Sequence, residues 1–125
     1  MKPIQILIVE DELILAMDLE ARLVDMGYAV VGMARTGEDA IADAVQHKVD
    51  VILMDIHLSG EMDGIAASME IRRHLDIPIV FLSAYTDEET SMRAQAVAPC
   101  GFLSKLSDDM EVRAAIESAL AKRIV

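Results

Sequence analysis

At 125 residues the chain is long enough to bury one adequate core, and the expected unit is a single domain over residues 1–125. Its hydrophobic share of 54% nowhere gathers into a run near the ~20 apolar residues that cross a bilayer, which excludes a membrane helix and predicts a soluble protein. A net charge of −11 with no basic tract opposes direct binding to nucleic acid or anionic lipid, so metal cations and proteins are the expected partners.

Met1-Lys2-Pro3 leads into an apolar run without a signal-peptide pattern, and the lone Cys100 forms no internal disulfide; the expectation is a cytoplasmic protein. The first run, IQILIV, is a strand that ends on Glu10-Asp11. Leu15, Leu19, Leu23 and Met26 form one stripe of a first helix from Leu13 to Met26, stopped by Gly27 in a left-handed conformation. AVVGMA is the second strand. A second helix follows Thr36, with Ala40, Ile41, Ala44 and Val45 on a face, and VDVILM, almost wholly apolar, is a buried central strand ending on Asp55. Asp63 caps a third helix. IPIVFL is the fourth strand, ending on Ser83, and Thr86 with Glu89 forms a capping box that opens a helix from Glu88 to Val97 with a thin apolar face. GFLS is the fifth strand, ending on Lys105. The last helix places Val112, Ala115, Ile116, Ala119 and Leu120 on one side. His47 and His74 fall at exposed helix ends, the nine methionines are expected as core filler, and Cys100 as a small buried residue.

Repeated strand-helix units demand a mostly parallel sheet with helices on both faces. The carboxyl ends of its strands share one edge, where ligands bind in open α/β folds. Glu10, Asp11, Asp55, Ser83 and Lys105 therefore converge there, and acids, a hydroxyl and a lysine make a phosphoryl site. Singly each has a bland reading: Asp55 as a turn residue, Glu10-Asp11-Glu12 as an acidic first helical turn, Ser83 as a turn hydroxyl, Lys105 as a solvated lysine. Four strand ends carrying the types that one site needs favour the site.

ILIVEDE, ILMDIHLSGEMDGI, VFLSAY and GFLSK, in this order and spacing, resemble the receiver domain of two-component response regulators over the whole chain. The resemblance implies a (βα)5 doubly wound, flavodoxin-like five-stranded parallel sheet of order 2-1-3-4-5. It implies that Asp55 accepts a phosphoryl group from a histidine kinase or histidine phosphotransfer protein. Mg²⁺ would be held by Asp11, Asp55 and the His57 carbonyl, with Glu10 reaching it directly or through water, while Ser83 and Lys105 would contact the phosphoryl oxygens. Ser83 and Phe102 would be switch residues, reshaping a surface of helix four, strand five and helix five from Asp87 to Arg123. That surface would meet a downstream target or a fused effector domain, or a second copy in a homodimer. His57 and Tyr85 would flank the attacking water's path and slow dephosphorylation. Such a domain signals and is not a classical enzyme, although it assists its own phosphorylation and dephosphorylation. No effector segment follows Val125, which is expected of a stand-alone receiver or of one domain of a larger protein.

Two departures from the family pattern stand out. Leu106 follows Lys105 where receivers commonly carry a cis proline; a cis bond to leucine costs ~3 to 4 kcal/mol, so a trans bond or a reshaped loop is expected. Leu58-Ser59-Gly60-Glu61 stands where a Met-Pro pair is common, and this longer loop is expected to leave the His57 carbonyl more mobile.

The chemistry is independent of the resemblance. Crowded carboxylates repel, and the repulsion raises their pKa values unless a cation such as Mg²⁺ intervenes. Removing Asp11 is accordingly expected to raise metal-free stability. Asp55 is the nucleophile, Lys105 and the cation neutralise incoming oxygens, and Ser83 donates a hydrogen bond. Two other classes compete: a pseudo-receiver that signals without phosphate, and a phosphatase of the haloacid-dehalogenase type, which wants an acid where His57 stands.

Overall fold

A computed structural model describes residues 2–84, 88–97 and 99–123. The order is β1 (Gln5–Val9), α1 (Leu13–Asp25), β2 (Ala29–Ala34), α2 (Gly37–Gln46), β3 (Val51–Asp55), α3 (Gly64–His74), β4 (Ile79–Ser83), α4 (Glu88–Ala96), β5 (Gly101–Ser104) and α5 (Asp109–Arg123). All four strand pairings are parallel, in one sheet of order β2-β1-β3-β4-β5. The expected doubly wound architecture and strand order are both observed. Tyr85, Thr86 of the helix-four capping box, Asp87 and Val125 lie outside the described residues.

The sheet forms because β3 and β4 are buried along their whole length, and β1 from Ile6 onward. Side chains alternate across the pleat into two cores. Leu7, Val9, Ile52, Met54, Ile79 and Phe81 pack toward α2 and α3. Ile6, Ile8, Val51, Leu53, Val80 and Leu82 pack toward α1 and α5. The helix boundaries have local causes. Gly27 (φ 98°) ends α1 in a Schellman motif, with the Tyr28 N–H donating to Leu23 O and the Gly27 N–H to Val24 O, both at 3.0 Å. The Thr36 hydroxyl accepts from the Asp39 N–H at 3.1 Å to start α2, and the Asp63 carboxylate accepts from the Ala66 N–H at 2.9 Å to start α3.

Helix faces depart from the expected stripes. In α1, Leu19 and Leu23 of the expected stripe are buried and Met26 packs at the core's edge, while Leu15 is exposed and Ala16 takes its place in the contact. Val45 of α2 is likewise exposed, and Ala40 and Ala44 carry the contact. The α5 stripe holds: Val112, Ile116 and Ala119 are buried, with Ala115 and Leu120 packed at its edge. Of the nine methionines, Met54 is core, but Met17, Met69, Met92 and Met110 are exposed on outward helix faces, so filler is the wrong description of those four. Cys100 is half-buried against the α1/α5 core. His47 and His74 are exposed at helix ends as expected. Among the described side chains of α4, Thr90 and Ala94 are buried and Met92 is exposed, in keeping with a thin apolar face.

Gly64 fixes how α3 meets β3. A Cβ there would lie 1.9 Å from the carbonyl oxygen of Asp55 and 3.0 Å from Ile56 Cα, both backbone atoms that cannot step aside. Gly64→Ala should therefore cost about 3 kcal/mol or more in urea denaturation. A loss within about 0.5 kcal/mol would show that the α3 terminus shifts freely.

Candidate functional site at the carboxyl edge of the sheet

The register places Asp55 beside Leu82 and Ser83 beside Ser104, so β1, β3, β4 and β5 end together. Glu10 and Asp55 are buried although charged, at 3% and 1% exposure, and Ser83 is buried beside them. Such burial demands partners. The Lys105 ammonium supplies them, donating to Glu10 Oε1 at 2.8 Å and to Asp55 Oδ2 at 3.1 Å. The other oxygens are held by the backbone: the His57 N–H donates to Asp55 Oδ1 at 3.0 Å, and the Glu12 N–H to Glu10 Oε2 at 3.2 Å. Asp11 stands nearer solvent. Its Oδ2 accepts from the Ser59 N–H at 3.0 Å and from the Ser59 hydroxyl at 2.5 Å.

Carboxylate oxygens of Glu10, Asp11 and Asp55 lie within 4.8 Å of one another. Three hard oxygen donors on one edge suit a small divalent cation that keeps some of its own waters. The ammonium on Glu10 and Asp55 already offsets part of their charge, so the donor set fits such an ion and does not depend on it for cohesion.

Asp55 and Asp11 do not respond alike. Burial raises the Asp55 pKa first, and the hydrogen bonding and charge of Glu10 add to it; Lys105 pulls the other way, and the result is about 7. Burial also works to raise Asp11, but the Ser59 hydroxyl and amide outweigh it and leave its pKa lowered. Lys105 is raised: burial disfavours its charge, and Glu10 and Asp55 more than restore it. Repulsion thus falls on Asp55, and the expectation that it raises every carboxyl is corrected for Asp11, where hydrogen bonds together outweigh burial. The stability argument reverses with it. Asp11→Ala should lower metal-free stability by about 1 kcal/mol through loss of the two Ser59 bonds. Thermal unfolding in chelator checks this, and a Tm above that of the parent would restore the crowding picture.

The loop after β3 is anchored despite its length and lack of proline. Ser59 is tied to Asp11, Leu58 is buried, the Gly64 N–H donates to Ile56 O at 2.9 Å, and Met62 lies over Gly37 of α2. Gly60 supplies the left-handed turn, φ 100°. Asp63 also pairs with Arg93 of α4 at 3.1 Å, a link that sequence reasoning missed. The Lys105-Leu106 bond is trans, as expected, and the amine still reaches both acids. Phe102 is partly exposed, with its ring centroid 5.9 Å from that of buried Phe81. The His57 side chain is exposed, and Tyr85 lies outside the described residues.

A doubly wound parallel sheet of this order, with an acidic strand-end pocket closed by one lysine, defines a flavodoxin-like signalling domain. The chain belongs to the response regulator receiver domain family, whose model matches residues 6–117. It is similar to the transcriptional regulatory protein PdtaR of Mycobacterium tuberculosis, at 35% identity over 120 residues covering 96% of this chain and 58% of the relative. It is also similar to the phyllosphere-induced regulator PhyR of Methylorubrum extorquens, at 34% identity over 93% of this chain and 43% of the relative. The chain thus spans about half the length of these curated relatives. Among solved structures, the signal receiver domain of a modulated diguanylate cyclase from Desulfovibrio desulfuricans G20 superposes with a TM-score of 0.93, 33% identity and 98% coverage of both chains. The N-terminal domain of a response regulator/sensory box/GGDEF protein from Carboxydothermus hydrogenoformans gives 0.86, at 33% identity and 94% coverage of both. Receivers are signalling domains of two-component systems and not classical enzymes; magnesium and phosphorylation are general to the family. Among the described residues, no helix is long and apolar enough to cross a membrane.

Proposed function

We propose that Asp55 is the phosphoryl acceptor of a cytoplasmic two-component receiver, charged by a histidine kinase or a histidine phosphotransfer protein. The observation that carries this reading is a buried aspartate at a strand end with one carboxylate oxygen on Lys105 and the other on the His57 N–H. In the transfer, an Asp55 oxygen attacks phosphorus, the bond from phosphorus to the donor's imidazole nitrogen breaks, and the electron pair leaves with the imidazole. Mg²⁺, held by Asp11, Asp55 and the His57 carbonyl with Glu10 behind them, would supply charge neutralisation for the transferring oxygens. Lys105 turns from Asp55 Oδ2 toward the new phosphoryl oxygens, and Ser83 donates to another. No general base is required of the chain, because the attacking group is itself the conjugate base.

The output follows from what these groups contact. Drawing Ser83 toward a phosphoryl group pulls the end of β4, and half-exposed Phe102 beside Phe81 turns inward, which reshapes the face of α4, β5 and α5. That face would bind a target protein, an effector domain of the same polypeptide, or a second receiver. By the family resemblance, His57 and Tyr85 are assigned to slow hydrolysis. In this reading residues 1–125 make one receiver domain.

The decisive experiment is intact mass after incubation with acetyl phosphate and Mg²⁺. Gain of one phosphoryl group, lost in chelator controls, supports the acceptor reading. An unchanged mass under conditions that charge other receivers would instead favour the pseudo-receiver, and turnover of phosphate esters would favour the phosphatase.

A further inference from the structure

We propose that Arg22 of α1 is a positioning residue for Lys105, holding from a neighbouring helix the loop that has no proline to stiffen it. The inference rests on the phosphoacceptor reading of Asp55.

Lys105 leaves the sheet with its N–H donating to Ser83 O at 2.9 Å, so the strand fixes its backbone on one side. On the other side the chain enters a turn, where the Leu106 N–H donates to the Ser104 hydroxyl and the Ser107 N–H to Ser104 O, both at 3.0 Å. These are short-range bonds within the turn itself. The Leu106 side chain is 91% exposed and anchors nothing. Arg22 reaches this turn from 85 residues away: its Nη2 donates to Ser107 O at 2.8 Å and its Nε to Asp109 Oδ1 at 2.6 Å. The planar guanidinium thereby joins the end of the turn to the first residue of α5, a two-point hold that an ammonium cannot match. Asp18, one turn earlier on α1, lies 3.8 Å from its Nη1 and helps orient it.

Arg22 and Lys105 also line the same cavity of about 40 Å³, together with Glu10, Asp18, Ser104 and Ser107. The lysine and the guanidinium thus border one cavity that Glu10 also lines. Removing Arg22 releases the turn and opens this space to water, and both changes let the ammonium drift. Misplacing a group by about 1 Å in a reaction that depends on positioning can cost up to about a hundredfold.

The test compares uptake of phosphoryl groups from acetyl phosphate at saturating Mg²⁺, followed by intact mass, in the parent chain, Arg22→Ala, Lys105→Met and the double variant. Arg22→Ala is expected to be slower by about tenfold. In the Lys105→Met background the same substitution should change the rate by less than about twofold, because the residue it positions is gone. A purely structural effect would slow both backgrounds equally, and that result, or a parent-like rate in Arg22→Ala, overturns the proposal. Calorimetric Mg²⁺ affinity within about threefold of the parent shows that the acidic pocket of the variant is folded. Should Arg22→Ala lose that affinity, Asp109→Asn carries the test, since it weakens the hold and leaves Arg22 in place. Its slowing must likewise vanish in Lys105→Met, and no slowing overturns the proposal. A parent chain that takes up no phosphate defeats the acceptor reading itself, and so is told apart from a failure of Arg22 alone.

Discussion

Asp55→Asn should reduce phosphoryl uptake by at least about a thousandfold while preserving the fold. The amide has the carboxylate's shape, and its oxygen can still accept from the Lys105 ammonium or from the His57 N–H, whichever it faces. What it lacks is an anionic oxygen able to form the bond to phosphorus. The buried environment should tolerate the change, because charge on Asp55 is opposed by burial and by Glu10, so a neutral group removes that conflict. Intact mass after exposure to acetyl phosphate measures the first part and urea denaturation the second. Uptake at the parent rate would mean that another residue is the acceptor.

The site was legible in the sequence because a parallel sheet turns strand ends into neighbours. Once IQILIV, VDVILM, IPIVFL and GFLS read as strands, Glu10, Asp55, Ser83 and Lys105 had to share one edge, where Lys105 reaches Glu10 and Asp55 and Ser83 ends the strand beside Asp55. Chain-local pattern also revealed the Gly27 stop and the Asp63 cap, because each acts within a few residues of itself. What the sequence concealed was of two kinds. The first turn of α1 was ambiguous because Leu13, Ile14, Leu15 and Met17 are all apolar, so apolarity alone could not say that Ala16 is buried and its larger neighbours exposed. Contacts between segments far apart in the chain were invisible: Ser59 lies 48 residues from Asp11, and Arg22 lies 87 from Asp109. The first of these reverses the sign of an electrostatic argument, since Asp11 counted only as a repelled charge until its hydrogen bonds were seen. Gly64 in the GEMDG segment offered a hint that went unread, a glycine whose missing Cβ lets α3 start against the acceptor's own carbonyl.

Binding of Mg²⁺ should weaken about tenfold for each pH unit below 7 and be level above it, a change of about a hundredfold between pH 7 and pH 5. Asp55 carries a pKa of about 7 in the metal-free fold, so below that value a proton occupies a ligand that the cation needs. Metal-free stability has the opposite slope. The folded pKa lies above the ordinary carboxyl value of 3.8, so the native state binds more protons than the unfolded chain between about pH 4 and pH 7. The contribution from Asp55 is therefore fully present below pH 4 and disappears as pH rises through 7, with an upper bound of about 4 kcal/mol. Asp11, with its lowered pKa, contributes in the reverse sense and only as pH falls below the carboxyl range, outside this window. In chelator the Tm should fall from pH 5 to pH 8, and with Mg²⁺ most of the loss should be restored at pH 8 and little changed at pH 5. Asp55→Asn is the control that isolates the group: its metal-free Tm should change less across the same interval, and its residual Mg²⁺ affinity should lose most of its pH dependence. Equal Mg²⁺ affinity at pH 5.5 and pH 7.5 in the parent chain would show that Asp55 is already ionised in the metal-free pocket, with Lys105 outweighing both burial and Glu10.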